Sequence, residues 1–291
     1  MALPEFELHR PTTIEEATEL LDHHGDEAAI HCGGTELLLV MKMGYAPFSQ
    51  LVDIKHIAEL SGISDDGDLW IGANTTHHRI EQHPGVRARW AGLAGMAASI
   101  GNRRVRNVGT IGGNLCFSEP HSDPATALLA AGASLECRRG GEPTRSIPMA
   151  DFVVGPFQTA LRAGEVLVGI RVPPLADGAV LIHRKITFHE RAAATVTVTC
   201  SVTDNRIDHL RLAVGAVGVR PALVEEAGEL VGEAPVDSLP PAVLDALGEA
   251  AVAAGRPVSD SYGGAEYRAH LLRVLVRRAL ADATDELGGT R

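Results

Sequence analysis

Two pairs of adjacent glycines constrain this chain most tightly: Gly33-Gly34 in HCGGTEL and Gly112-Gly113 in TIGGNLC. A residue without a Cβ permits positive φ and lets another group approach the backbone closely. Each pair lies near a segment that reads as a strand end, and the first runs into LLLVMK, which reads as a helix. Successive N–H groups exposed in such a turn form a concave anion site, and a helix starting just after it adds its positive end. Two such loops facing one cleft could hold a pyrophosphate from both sides. Neither pair fits G-x-G-x-x-G or G-x-x-x-x-G-K-[ST], and either alone is also compatible with a plain tight turn. The neighbours favour a ligand: Thr35 and Thr110 offer hydroxyls to phosphate, and Asn114 both donates and accepts.

The flanking periodicity supplies a frame. PTTIEEATELLDHHG reads as a helix capped by Thr12 or Thr13, with Glu15 or Glu16 at the capping-box position and Gly25 at its end. AAIHC, QLVDI and DLWIGA read as short strands, so strand, glycine loop, helix and strand form an α/β unit. NTTHHRIEQHPGV and RARWAGLAGMAASIG read as two helices, and TIGGNLC as a loop between RRVRNV and SEPHSDP. DPATALLAAGA reads as a helix opened by Asp123, SLECR and EVLVGIRVPP as strands, and IPMADF as a turn into a short helix. After Pro174 the composition changes. VLIHRKI, AAATVTVTCSVT and IDHLRLAVGAVG read as three consecutive strands, followed by helices near 222–231, 240–254 and 261–282. That order predicts an antiparallel sheet backed by helices, an α+β arrangement, with a boundary near 175–180.

Bulk properties exclude several functions. The 291 residues carry a formal charge of −11, which argues against general nucleic-acid binding. No apolar run approaches the ~18 residues of a membrane span, and the N-terminus lacks a basic-then-apolar signal pattern, so a cytoplasmic protein is expected. Four separated cysteines form no C-x-x-C pair, which excludes a zinc knuckle or a self-contained iron–sulfur site and predicts buried free thiols. The pairs His23-His24 and His77-His78 are adjacent, and neighbours on a helix diverge by about 100°, so no metal site is expected. No G-x-S-x-G nucleophile is present. Arg103, Arg104 and Arg106 read as a solvated patch or as a contact to a phosphate or partner. Asp123 reads as a helix cap, as an acceptor for a ribose or ribityl hydroxyl, or as both.

In order and spacing, CGGTELLLVMK, VDI, IGANTT, RNVGTIGGNL and SDP resemble the FAD-binding subunit of the molybdenum hydroxylases. This is the medium subunit of carbon monoxide dehydrogenase and the flavin domain of xanthine dehydrogenase. The resemblance covers nearly the whole chain. It implies a two-subdomain FAD-binding fold of the vanillyl-alcohol oxidase / p-cresol methylhydroxylase type over 1–175, in subdomains of about 1–55 and 56–175. A small α+β C-terminal domain would occupy 180–291. It further implies that Cys32, Gly33, Gly34, Thr35, Glu36 and Leu37 wrap the FAD pyrophosphate, opposed by Thr110, Ile111, Gly112, Gly113 and Asn114. Asp123 would touch the ribose or ribityl region, Leu167 or a neighbour the adenine or the ring, and Lys185 (or Arg184) the cofactor.

The implied role is electron transfer. A molybdenum large subunit oxidises the substrate, two [2Fe–2S] clusters on a small subunit feed FAD, and NAD+, a quinone or oxygen receives the electrons, in a complex with two copies of each subunit. One departure concerns HERAAATV, where related subunits often carry an aromatic residue near the flavin and Arg191 stands here. A cation there would favour negative charge on the ring and alter access for the oxidant; alternatively Arg191 faces solvent. Two other readings are a free-standing FAD dehydrogenase or oxidase using His121, His189 or Arg191, and a structural subunit without FAD, which the intact Gly-Gly loops oppose.

Overall fold

The computed structural model describes residues 2–188, 191–232 and 234–288, the side chain of Asp237 excepted. The first part of the chain builds a small parallel sheet. Strand β1 (Glu7–His9) leads into helix α1 (Ile14–His24), followed by β2 (Ala28–His31), the short helix α2 (Leu37–Lys42) and β3 (Gln50–Asp53). The order is β1-β3-β2, with β3 parallel to both neighbours. Helix α1 starts as expected: Thr13 Oγ1 accepts from Glu16 N at 3.1 Å, and the Glu16 carboxylate accepts from Thr12 N at 2.7 Å. Its Ile14 and Ala17 pack with Val52 of β3 and with Ile54.

A five-stranded antiparallel sheet follows. Its elements are β4 (Ile63–Ser64), β5 (Leu69–Gly72), α3 (His77–Gln82), α4 (Pro84–Arg89), α5 (Ala91–Ser99), α6 (Arg103–Val108), α7 (Ile111–Phe117), α8 (Asp123–Ala130), β6 (Ser134–Arg138), β7 (Arg145–Pro148) and α9 (Met149–Phe152). The hairpin β8 (Val153–Gly155) and β9 (Gln158–Thr159) precedes β10 (Val166–Val172). Strand order is β4-β5-β10-β6-β7. Ile80 of α3 and the Ala- and Leu-containing α5 and α8 pack into its core, where Trp90 and Phe152 are among the largest fully buried side chains.

The remainder is β11 (Val180–Phe188), β12 (Arg191–Thr203), β13 (Arg206–Gly215), β14 (Ala222–Leu223), α10 (Ala227–Val231), α11 (Pro241–Gly255) and α12 (Ala265–Gly288). The sheet runs β11-β12-β13-β14, antiparallel throughout. The two faces of β12 differ. Val196, Val198 and Cys200 join the apolar core with Leu272, Leu275 and Val276 of α12. Thr195, Thr197 and Thr199 are also buried, but form a polar seam. Thr195 Oγ1 lies 3.1 Å from Thr126 Oγ1 on α8, and Thr199 Oγ1 donates to Ala130 O at 3.1 Å. Arg211 of β13 donates to the carbonyls of Leu129 and Ala130, satisfying the C-terminal end of α8.

The α+β architecture matches expectation, with local differences. TIGGNLC is not a loop: it is the N-cap and body of α7, and RRVRNV is α6. The stretch RARWAGLAGMAASIG breaks at Trp90 into α4 and α5. The buried indole is pinned there by Nε1 donating to Pro173 O at 3.3 Å, and its backbone leaves the helical region. Asp123 does not cap α8; Ser122 holds the N-cap position and Asp123 is the first helical residue. Ala222–Leu223 extends the last sheet rather than starting a helix.

Candidate functional site

A cleft of about 270 Å³ opens between the parallel sheet and the five-stranded sheet. One wall is the turn between β2 and α2. The opposite wall combines Asn74 and His77 with the start of α7, and Ile54, Val166 and Leu167 form part of the apolar lining. Of the residues named from the sequence, Cys32, Gly33, Gly34, Thr35, Glu36, Leu37, Thr110, Gly112, Gly113, Asn114 and Leu167 all line it. Ile111 does not: it is 1% exposed and packs in the core beneath α7. Asp123 and Lys185 also stand outside the lining.

Packing explains the glycines. A Cβ on Gly33 would lie 2.2 Å from Val108 O and 2.9 Å from Gly109 Cα, so this glycine lets the first turn rest on the segment leading into α7. Gly34 adopts φ 69°, the left-handed region that glycine enters freely. A Cβ on Gly112 would meet Ala73 Cβ at 2.6 Å and Ala73 O at 2.7 Å, inside the distance any real contact shows. The glycines press the two walls together as well as facing the cleft.

The walls differ in what they offer a ligand. Around the first turn, the N–H groups of Gly34, Thr35, Glu36 and Leu37 have no partner among the described residues. At α7 the amides are engaged: Ile111 N donates to Thr75 O, Gly112 N to Ala73 O, and Gly113 N to Thr110 Oγ1. Side chains are the donors left there. Asn114 lines the cleft; its Oδ1 accepts from Ser122 Oγ at 2.5 Å, and its Nδ2 has no partner among the described residues. The expected pair of opposed amide nests is therefore one amide nest facing a side-chain wall.

Lys185 Nζ donates to Asp123 Oδ2 at 2.5 Å and to Ser99 O at 2.9 Å, joining β11 to α8 and α5. His183 stands close by, Nε2 at 3.7 Å from Asp123 Oδ1, beyond hydrogen-bond length, while its Nδ1 meets Thr197 Oγ1 at 2.8 Å. Burial pushes the Asp123 carboxyl up, but His183 and Lys185 outweigh it and hold it below the usual range. The alternative Arg184 points elsewhere and pairs with Asp282.

Arg191 does not face solvent alone. Its guanidinium bridges Glu36, at 3.1 and 3.2 Å, and Glu119, at 2.7 Å, tying β12 to the cleft turn. His121 is held by Ala192 O at 2.7 Å and Asp260 at 3.0 Å. His189 lies outside the described residues. Arg106 is structural, donating to Glu81 and to the carbonyl of Ile100, and Glu81 also meets His78 at 3.5 Å. Among the described residues no group of three metal-type ligands assembles, and all four thiols are free. Burial pushes the cleft thiols of Cys32 and Cys116 upward, which suits neutral packing rather than nucleophilic chemistry.

Sequence reasoning considered His77 only as a poor metal ligand. It lines the cleft at 3% exposure with Nδ1 unpartnered, and burial, opposed by Asp123 and aided by Arg106, lowers it to about 4. The Thr76 cap makes it the first residue of α3, and the Thr76 bridge to Thr110 sets that helix start against the α7 wall.

Free amides and hydroxyls above an apolar floor make this a nucleotide-cofactor domain, followed by a second sheet-and-helix unit. Comparison with known proteins makes the class specific. Residues 4–175 match the family described as FAD binding domain in molybdopterin dehydrogenase, and residues 184–283 the CO dehydrogenase flavoprotein C-terminal domain. The carbon monoxide dehydrogenase medium chain of Hydrogenophaga pseudoflava is 34% identical over 285 residues, 96% of this chain and 97% of that one. The nicotine 6-hydroxylase medium subunit of Paenarthrobacter nicotinovorans is 30% identical, over 97% of this chain and 99% of that one. Solved carbon monoxide dehydrogenase from H. pseudoflava matches with a TM-score of 0.93 at 32% identity, covering 98% and 99% of the two chains. Quinoline 2-oxidoreductase from Pseudomonas putida 86 matches with a TM-score of 0.91 at 26% identity, over 99% of each chain. The chain belongs to the FAD-binding medium subunits of the molybdenum hydroxylases, with the vanillyl-alcohol oxidase type of fold, and its cofactor is FAD.

Proposed function

We propose that this chain is the electron-transfer subunit of a molybdenum hydroxylase, working in the cytoplasm with a molybdenum-cofactor large subunit and a [2Fe–2S] small subunit. Relatives named as medium chains of multi-chain dehydrogenases support the partners, and four free thiols fit a reducing compartment. Residues 1–175 would form the FAD-binding domain, in subdomains of about 1–55 and 56–175, and 180–291 the C-terminal domain.

The observation that carries the reading is the cleft with unpaired amides at Gly34–Leu37. The residues fit FAD. These amides and the Thr35 hydroxyl would receive its pyrophosphate, with Asn114 Nδ2 and Thr110 opposite, and Leu167 on the apolar floor. When bound, FAD supplies a carrier that accepts electrons from iron–sulfur clusters and delivers them to NAD+, a quinone or oxygen. The chain's own residues bind, orient and shield. Asp123 and Lys185, bonded to each other, would brace the wall near the ribityl chain. Arg191 would set the charge at the mouth, its cation partly offset by Glu36 and Glu119. No side chain is asked to act as acid, base or nucleophile, and His121 and Arg191 are already engaged by the chain.

The test is a visible absorption spectrum of the purified single chain, then anaerobic titration with NADH and re-exposure to air. Flavin bands that no small organic substrate bleaches rapidly are expected. Rapid bleaching by such a substrate would make it a free-standing enzyme, and failure to take up FAD would remove the role altogether.

A further inference from the structure

His77 has a place in the cleft that no expected role covers. Its backbone N–H is used, donating to Gly109 O at 3.0 Å, but its ring is not. The residue is 3% exposed, Nδ1 is sealed without a partner, and Nε2 makes no hydrogen bond among the described residues. Leaving such a group unpaired in the interior is unfavourable, because it loses its hydrogen bonds to water. A core position offers nothing in return; a position on a cofactor cleft does.

The ring sits where the two walls converge. A Cβ built on Gly109 would lie 3.4 Å from His77 Cδ2 and 3.6 Å from Thr35 Oγ1. Cδ2 is bonded to Nε2, so the ring edge that carries Nε2 lies by Gly109, which Thr35 Oγ1 also approaches, and His77 and Thr35 both line the cleft. The charged groups around it are accounted for. Arg106 on α6 is bound to Glu81, Asp123 on α8 to Lys185, and Glu36 in the turn itself to Arg191. Asp123 keeps Oδ1 buried without a partner among the described residues, but no hydrogen bond joins it to His77. The cleft that His77 lines also holds the unpaired amides of Gly34–Leu37, and such a set of donors fits an oxyanion.

We propose that the Nε2–H of His77 donates to the diphosphate of the bound dinucleotide, making His77 a fifth donor beside the Gly34–Leu37 amides. This rests on the FAD reading and deepens it. The sealed Nδ1 then stays unprotonated, which fixes the tautomer.

The full-length chain is freed of cofactor. FAD binding is followed by quenching of flavin fluorescence, and ADP and adenosine binding by calorimetry. In His77→Leu, FAD and ADP are expected to bind about 10- to 100-fold more weakly, the size of one hydrogen bond to a charged group, with adenosine unchanged. His77→Gln, which restores a donor, should recover most of the loss. Cofactor-free His77→Leu should melt no lower than wild type, because an unpaired buried nitrogen has been removed. As a check on the unaltered chain, ADP but not adenosine should move the His77 Nε2 resonance in a 15N-histidine spectrum. Equal FAD affinity in His77→Leu, or a loss for riboflavin without one for ADP, would overturn the assignment. A wild-type chain that takes up no FAD overturns the cofactor reading itself, and that failure is read before any variant is made.

Discussion

At the scale of residues, the Asp123–Lys185 pair is the feature whose partners sequence could not join. Each was singled out, but the 62 positions between them hide the bond. Their side chains are 8% and 13% exposed, so the pair is largely out of water. Removing one member leaves a buried charge alone, which costs more than the pair contributes. Lys185→Met is expected to lower unfolding free energy by about 3–5 kcal/mol in urea titration. Adding Asp123→Asn should return much of that; a double variant as unstable as the single one would contradict it. His77 was hidden for the same reason. Its type was visible, but its burial against Gly109 depends on a fold that local pattern does not contain.

Among elements, α7 marks where local reasoning yields to packing. Glycine in a helix interior is disfavoured by about 1 kcal/mol relative to alanine, so two in succession argue for a turn. The close approach to Ala73 admits no larger residue, and this contact outweighs propensity. Elements with strong periodicity, such as α1 and β10 to β13, were legible; β1 and the β8–β9 hairpin, two or three residues per strand, carry too little pattern. Gly33→Ala should force the cleft turn off the Val108 carbonyl, costing about 1–3 kcal/mol by overpacking, and the purified variant should retain little FAD. Gly95→Ala is the contrast: it lies exposed within α5 with nothing inside 4 Å of a new Cβ, and should raise stability by about 0.5–1 kcal/mol with FAD content unchanged. Thermal melts and flavin absorbance per chain check both.

For the molecule as a whole, buried histidines predict acid sensitivity. His77 titrates at about 4 when folded but at its ordinary 6.5 when unfolded. The unfolded chain therefore binds the extra proton first, and stability falls as pH drops from 6.5 to about 4, by about 3 kcal/mol from this group. His31, lowered by burial and by Lys55, adds in the same direction. Asp123, held below 3.8, contributes stability that is lost only on further acidification. Urea midpoints measured on the cofactor-free chain from pH 8 to pH 4.5 should decline below neutrality, and a flat profile would count against a neutral buried His77. The threonine seam has a different kind of consequence. Apolar surfaces grip one another in many alignments, because their attraction has no direction. Hydroxyls meeting the carbonyls and hydroxyls of α8 accept one alignment, and a one-residue slip of β12 would present Val196 and Val198 to them instead. The joint works as a keyway: it adds little to the strength of the assembly, and it leaves the later-synthesised half of the chain a single seat on the half already made.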